Sequence, residues 1–188
     1  MSSRPDILTP IHKGLQLLMF EAAVTVGRTE FTSPAETSVA EQAVRRCTAL
    51  LLEHAGHEDR WVKPALARLA PSLASTMTAE HAQLEEAADD VTAMFDRLRG
   101  TADADERLAL GVGVRRRFDL LLAHHLRHMT WEEEDVNVAL WAGLTDAELA
   151  GVVSHVVSEI GPAHMKDWNA LVQAAANPHE REGHAKMP

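Results

Sequence analysis

Apolar positions recur every third or fourth residue over four long stretches of this chain, the spacing that lines one face of an α-helix. The first stripe is Leu15, Met19, Ala22 and Val26, and the second is Ala40, Val44, Cys47 and Leu51. The third is Met77, Leu84, Ala88, Val91 and Phe95, and the fourth is Leu110, Val114, Phe118 and Leu121. Start signals precede them. Thr9-Pro10 reads as a cap followed by proline at the first helical position, and Ser33-Pro34-Ala35-Glu36 is a capping box with the same proline placement. Asp103 with Glu106, and Thr145 with Glu148, repeat the theme. Stops fall at Gly27, Pro64, Gly100, Gly143 and Gly161-Pro162. These signals predict helices at about 10–26, 34–62, 74–99 and 104–141, then two shorter ones at 146–160 and about 163–176.

Four amphipathic helices joined by short loops bury their stripes most simply as a bundle. The expected fold is therefore all-α: an up-down-up-down antiparallel four-helix bundle with two extra C-terminal helices. One domain is expected over 1–176, with the core bundle at about 8–142 and the C-terminal helices at about 146–176. Residues 177–188 are polar, hold Pro178 and Gly183, and read as a flexible tail.

Composition narrows the function. The 188 residues carry 18 Lys+Arg against 28 Asp+Glu, a net charge of -10, which weighs against nucleic acid as a partner. No apolar run reaches the ~20 residues of a membrane span, and Met1 to Phe20 lacks the layout of a secretory signal. The single cysteine, Cys47, cannot form an internal disulfide and suits a reducing compartment, so a cytoplasmic location is expected. Cys47 also lacks a free base on its stripe, and no nucleophile constellation or phosphate-binding loop is present. Eleven histidines remain to be explained, with no tyrosine.

Several of those histidines, with two glutamates, interrupt the apolar stripes. His12 lies near the Leu15/Met19 face, His54 and Glu58 continue the Cys47/Leu51 stripe, and His81 sits between Met77 and Leu84. On the fourth helix Leu121, His125, His128 and Glu132 lie within roughly 60° of one another. Burying several imidazoles and carboxylates on facing stripes is costly unless something pairs them, and a metal does so. In an antiparallel bundle the starts of the first and third helices meet the ends of the second and fourth. At ~1.5 Å per residue all four groups then fall in one slab near the same end. His-x-x-x-Glu puts both side chains on one face a turn apart, so the histidine can hold one ion while the glutamate spans to the next. Two such motifs and two single histidines supply four imidazoles and two carboxylates, enough for a dinuclear site: His12, His54, Glu58, His81, His128 and Glu132. Glu-x-x-His, the spacing of the carboxylate-rich di-iron bundles, does not occur.

Other groups border this set. Glu85 and His125 are candidates for an additional ligand, His57 and His124 for orienting a ligand, and Trp61 for a wall of the site. His155 and Glu159 repeat the spacing but read as an exposed helical pair, and Glu133 and Glu134 read as solvated residues beside Glu132.

The stretches EHAGHEDRWVKPAL and HHLRHMTWEEEDVNVALW, with PIHKGL before and AEHAQLEE between, resemble the haemerythrin-like (HHE cation-binding) domain. The resemblance covers about residues 8–142 and rests on the order single His, His-x-x-x-Glu, single His, His-x-x-x-Glu. It implies two iron ions joined by an oxo or hydroxo bridge, His12 and His54 on one, His81 and His128 on the other, with Glu58 and Glu132 bridging. It implies a centre that binds or senses O₂, peroxide or nitric oxide. The invertebrate oxygen carriers place a second histidine one turn after that of the third helix. This chain has Glu85 there, which leaves the third protein ligand of the second iron open between His125 and Glu85. Two alternatives stand beside this reading. One is an enzyme or iron-repair protein working on the same centre, through peroxide decomposition or iron donation. The other is a metal-free or zinc-binding helical interaction module. The C-terminal helices are a candidate homodimer face.

Overall fold

The computed structural model describes residues 4–184. Among these residues it is all-α, in the order α1 (Thr9–Arg28), α2 (Pro34–His57), a π-turn π1 (Glu58–Val62), α3 (Lys63–Leu69), α4 (Pro71–Gly100), α5 (Ala104–Trp131), a second π-turn π2 (Glu132–Val136), α6 (Asn137–Gly143), α7 (Asp146–Ile160), α8 (Pro162–Ala175) and α9 (Pro178–His184). The long helices α1, α2, α4 and α5 pack antiparallel as a four-helix bundle. Every residue of the four predicted stripes is buried. Among the described residues no helix is long and apolar enough to cross a membrane.

The caps show why the helices begin where they do. Ser33 and Asp103 each accept a hydrogen bond from the backbone N–H three residues on, and Thr145 and Glu148 form a reciprocal capping box. Thr9, expected to cap α1, is instead its first residue, and its side chain makes no cap. The Asp6 carboxylate takes that part, accepting from Leu8 N (3.1 Å) and Thr9 N (3.0 Å). Gly161, at φ 75, turns the chain from α7 into α8.

Two boundaries differ from the expectation. Pro64 does not stop the second helix. The backbone widens into π1, where Lys63 N–H bonds to Glu58 O five residues back, and α3 then runs on to Leu69. Pro64 falls just after the wide turn, in the first turn of α3, where its missing N–H is tolerated. The break comes at Ala70, and Pro71 starts α4 three residues before the expected position. Beyond Asn177, where a loose tail is expected, Pro178–His184 is helical and Glu180 pairs with Lys13 of α1 at 2.6 Å. Residues 185–188 lie outside the described residues.

The core has two parts. The larger runs the length of the bundle and includes Leu15, Leu51, Leu84, Phe95, Phe118 and Leu121, closed on the α1 side by Trp168 and Leu171 of α8. The smaller is built from Leu8, Val62, Leu66, Met77, Val136, Leu140 and Leu149. Leu8 and Leu15 bracket His12, Met77 and Leu84 bracket His81, and Val62 and Val136 follow Glu58 and Glu132. The polar slab therefore lies between two hydrocarbon layers, because α3 and α6 carry the helices past it.

Candidate metal centre

Six side chains meet in that slab. His12 comes from the first turn of α1, His54 from the last turn of α2, His81 from α4 and His128 from the last turn of α5, while Glu58 and Glu132 open the two π-turns. All are buried except His54, whose side chain keeps 12% of its exposure. His12 Nε2 and His54 Nε2 stand 3.1 Å apart, as do His81 Nε2 and His128 Nε2. Glu58 turns Oε1 to the first pair (3.2 Å from His54, 3.8 Å from His12) and Oε2 to His81 at 3.5 Å. Glu132 turns Oε2 to His12 at 3.5 Å and Oε1 to the second pair (3.2 Å from His128, 3.7 Å from His81).

Two groups of four donors result, His12/His54/Glu58/Glu132 and Glu58/His81/His128/Glu132, sharing both carboxylates. Ligands at about 2.0–2.2 Å from a metal stand roughly 3–3.5 Å from one another, which is the spacing between neighbouring donors here. The set also has unmet needs. All four oxygens of Glu58 and Glu132 are shielded from solvent and accept no hydrogen bond. Orphaned carboxylate oxygens are expensive inside a protein, and cations placed between the paired imidazoles would satisfy all four. The donor set therefore fits two metal ions.

The electrostatics agree. Burial opposes charge on His12, yet its hydrogen bond to Glu133 and the nearby carboxylates of Glu58 and Glu132 raise it from 6.5 to about 9. Burial likewise opposes His81, but Glu132 and Glu58 raise it to about 10. His128 is raised against burial by Glu132, Glu58 and Glu80. Burial would raise Glu58, but the charge of His54 and the ring nitrogens of His12, His54 and His81 at 3.2–3.8 Å hold it well below 4.5. Without metal, protons take the place of the cations.

Outside this set, carboxylates fix the far ring nitrogens of His12 and His128. His12 Nδ1 donates to Glu133 Oε1 at 2.9 Å, and His128 Nδ1 donates to Glu80 Oε2 at 2.8 Å. Asp59 Oδ1 stands 3.2 Å from His81 Nδ1 and ion-pairs with Lys63 at 2.6 Å. Glu133 and Glu80 set the tautomers of His12 and His128, leaving Nε2 free to bind a metal, whereas Asp59 lies close to His81 without a hydrogen bond. Glu133 is thus not the solvated residue expected from a helical wheel. Neither Asp59 nor Glu80 is singled out by helical periodicity. The acid immediately after each shared glutamate, Asp59 and Glu133, was the available signal. In a π-turn it is rotated less far from its neighbour than in an α-helix, so it still reaches inward.

The two halves mirror each other. In both, a His-x-x-x-Glu motif ends in a five-residue π-turn and a seven-residue helix, and the acid following its glutamate reaches the single histidine of the other half.

The remaining predicted residues go elsewhere. Glu85 is exposed and belongs to neither donor group. His57 and His124 are partly buried, and burial lowers both. His125 is buried, joins neither donor group, and is pushed down to about 3 by burial and then by the charges of His128, His124, His54 and His81. Trp61 turns to α7. Its indole stacks on His155 of α7 (centroids 4.6 Å apart) and donates to Glu159 at 2.6 Å. Trp131, beside the other motif, is the indole that packs near a slab imidazole, 5.9 Å from His128. Cys47 is buried, its thiol pushed up to about 12 by burial.

Compared with known proteins, the chain matches no family model, no curated protein and no solved structure.

Proposed function

We propose that this chain is a non-haem di-iron protein of the haemerythrin-like kind, binding or sensing O₂ or a related small oxidant such as peroxide or nitric oxide. The observation that carries the reading is the sharing of both carboxylates: Glu58 and Glu132 each turn one oxygen to either imidazole pair, and all four oxygens are buried without a hydrogen bond. The ordered motif resemblance over about residues 8–142 supports the same reading. Two imidazoles and carboxylate oxygen per ion is a donor set suited to non-haem iron that keeps positions open for an outside ligand.

In this proposal His12, His54, Glu58 and Glu132 hold one iron, and His81, His128, Glu58 and Glu132 hold the other. When bound, the pair of irons supplies redox couples and open positions for a small ligand. The protein supplies the rest. Glu133 and Glu80 keep the Nδ1 protons of His12 and His128 in place, and Asp59 faces Nδ1 of His81. The hydrocarbon layers on either side limit water at the slab.

The test is elemental analysis of protein loaded with ferrous iron, with optical spectra before and after air. About two irons per chain, with a near-ultraviolet charge-transfer band that vanishes when iron is chelated, is the expected result. Iron-free protein that melts at the same temperature with and without ferrous ion contradicts the proposal, because an ion bound only by the folded state must raise stability. Hydrogen peroxide turnover in proportion to iron content makes the protein an enzyme on the same centre.

A further inference from the structure

One turn from each imidazole, on the side of the larger core, each bundle helix places one buried residue in the floor of the slab. These are Leu15 after His12, Leu51 before His54, Leu84 after His81 and His125 before His128. Under the correspondence between the halves, Leu15 matches Leu84, and Leu51 matches His125. Three positions are leucine and the fourth is histidine, so packing alone does not call for the imidazole. His125 keeps 4% of its exposure, and its Nε2 is shielded from solvent with no hydrogen-bond partner. A buried polar atom without a partner is costly, and replacing it by an apolar group of like shape relieves that cost. The shared glutamates lie one turn beyond His54 and His128 on the opposite side, toward the smaller core. The floor is therefore the side of the slab to which no metal-donor carboxylate comes.

We propose that His125 is the hydrogen-bond donor to the outside ligand of this centre, and that it selects a small anion or peroxide with acceptor lone pairs. This rests on the dinuclear reading above. The ligand takes a position between the slab and the floor, on the side served by α5, with His125 Nε2–H directed at its free end and Leu15, Leu51 and Leu84 enclosing it. The asymmetry of the floor makes the two metal positions unequal although their protein donors match.

The test is titration of iron-loaded protein with sodium azide, followed optically, in the parent, His125→Leu and His125→Gln. Iron content is measured in all three and melting temperature in the metal-free forms. The Leu variant is expected to keep both irons, to melt higher than the parent when metal-free, and to bind azide on the order of tenfold more weakly. The Gln variant, which retains an N–H donor, recovers part of that loss. Equal azide affinity in the parent and a fully loaded Leu variant overturns the inference while leaving the dinuclear reading intact. Loss of iron from the Leu variant overturns it by making His125 a metal ligand. A Leu variant that melts lower overturns it by showing the imidazole already satisfied within the fold. A parent that takes up no iron defeats the dinuclear reading, and this inference with it.

Discussion

At the scale of single residues, the two kinds of donor differ in how many ions depend on them. Each imidazole belongs to one donor group, whereas Glu58 and Glu132 belong to both. His54→Ala should vacate one position and leave the His81/His128 side loaded, giving about half the parent's metal. Glu58→Gln keeps the shape but removes the charge shared between the positions, and should deplete both. Elemental analysis of the two variants beside the parent distinguishes these outcomes, and a Gln variant with full metal content would rule out sharing. Glu133 acts one step further out, holding Nδ1 of His12 at 2.9 Å. Glu133→Gln should leave the fold unchanged and weaken metal binding by roughly 10–100-fold, read by competition with a chelator of known affinity.

At the scale of elements, what could be read from the pattern is what α-helical periodicity encodes. All four stripes, the caps at Ser33, Asp103 and Thr145, and the bounds of α7 follow from local chemistry, and local chemistry was visible. The slab was visible for the same reason, since His12, His54, His81 and His128 fall on the stripes. The π-turns were not visible. A helical wheel advances every residue equally, so it puts Glu133 in solvent, gives Asp59 no inward direction and stops the second helix at Pro64. The smaller core was hidden with them, because it exists only if α3 and α6 continue beyond the glutamates. Glu80 was missed for another reason: its stripe neighbours give no hint that His128, on a different helix, lies 2.8 Å away.

The far end of the bundle also depends on a contact between elements. Arg107 is buried on α5 and bonds to neutral acceptors from three segments: Phe31 O (2.8 Å) in the α1–α2 loop, Leu98 O (2.7 Å) and Thr101 O (3.1 Å) at the end of α4, and Thr37 Oγ1 (3.0 Å) on α2. Methionine there fills much of the space but removes all four bonds; Phe31 O keeps Thr37 Oγ1 (3.3 Å) and Leu98 O keeps Thr101 N (3.3 Å), each a longer contact than the one lost. Arg107→Met should cost roughly 2–4 kcal/mol in urea unfolding. Metal content per folded chain should not change, because the slab lies at the other end.

At the scale of the whole molecule, a bundle that buries four imidazoles and two carboxylates between two hydrocarbon layers must keep them neutralised, and pH decides how. In the metal-free fold His12 titrates at about 9 and His81 at about 10, both raised from 6.5. Their contribution is fully present below pH 6.5 and is lost as pH rises through those folded-state values. Glu58 and Glu132 are lowered from 4.5, so their contribution is present above pH 4.5 and lost as pH falls below it. His125, lowered from 6.5 to about 3, acts the other way and costs stability as pH falls below 6.5. Metal-free protein should therefore be most stable near pH 6.5, and should lose on the order of a few kcal/mol between pH 6.5 and 9. The Cys47 thiol, raised from 9.0 by burial, adds to that loss only as pH approaches 9. Metal-loaded protein should behave oppositely. The ions need unprotonated Nε2 atoms and release protons on binding, so their affinity grows with pH up to the folded-state values of the imidazoles. Calorimetric melts of both forms at pH 6.5 and 9 should show the metal-free midpoint falling and the gap between the forms widening. A metal-free midpoint that holds steady or rises over this interval would mean that the carboxylates do not keep protons on His12 and His81. The slab would then have no charge deficit for a pair of cations to fill.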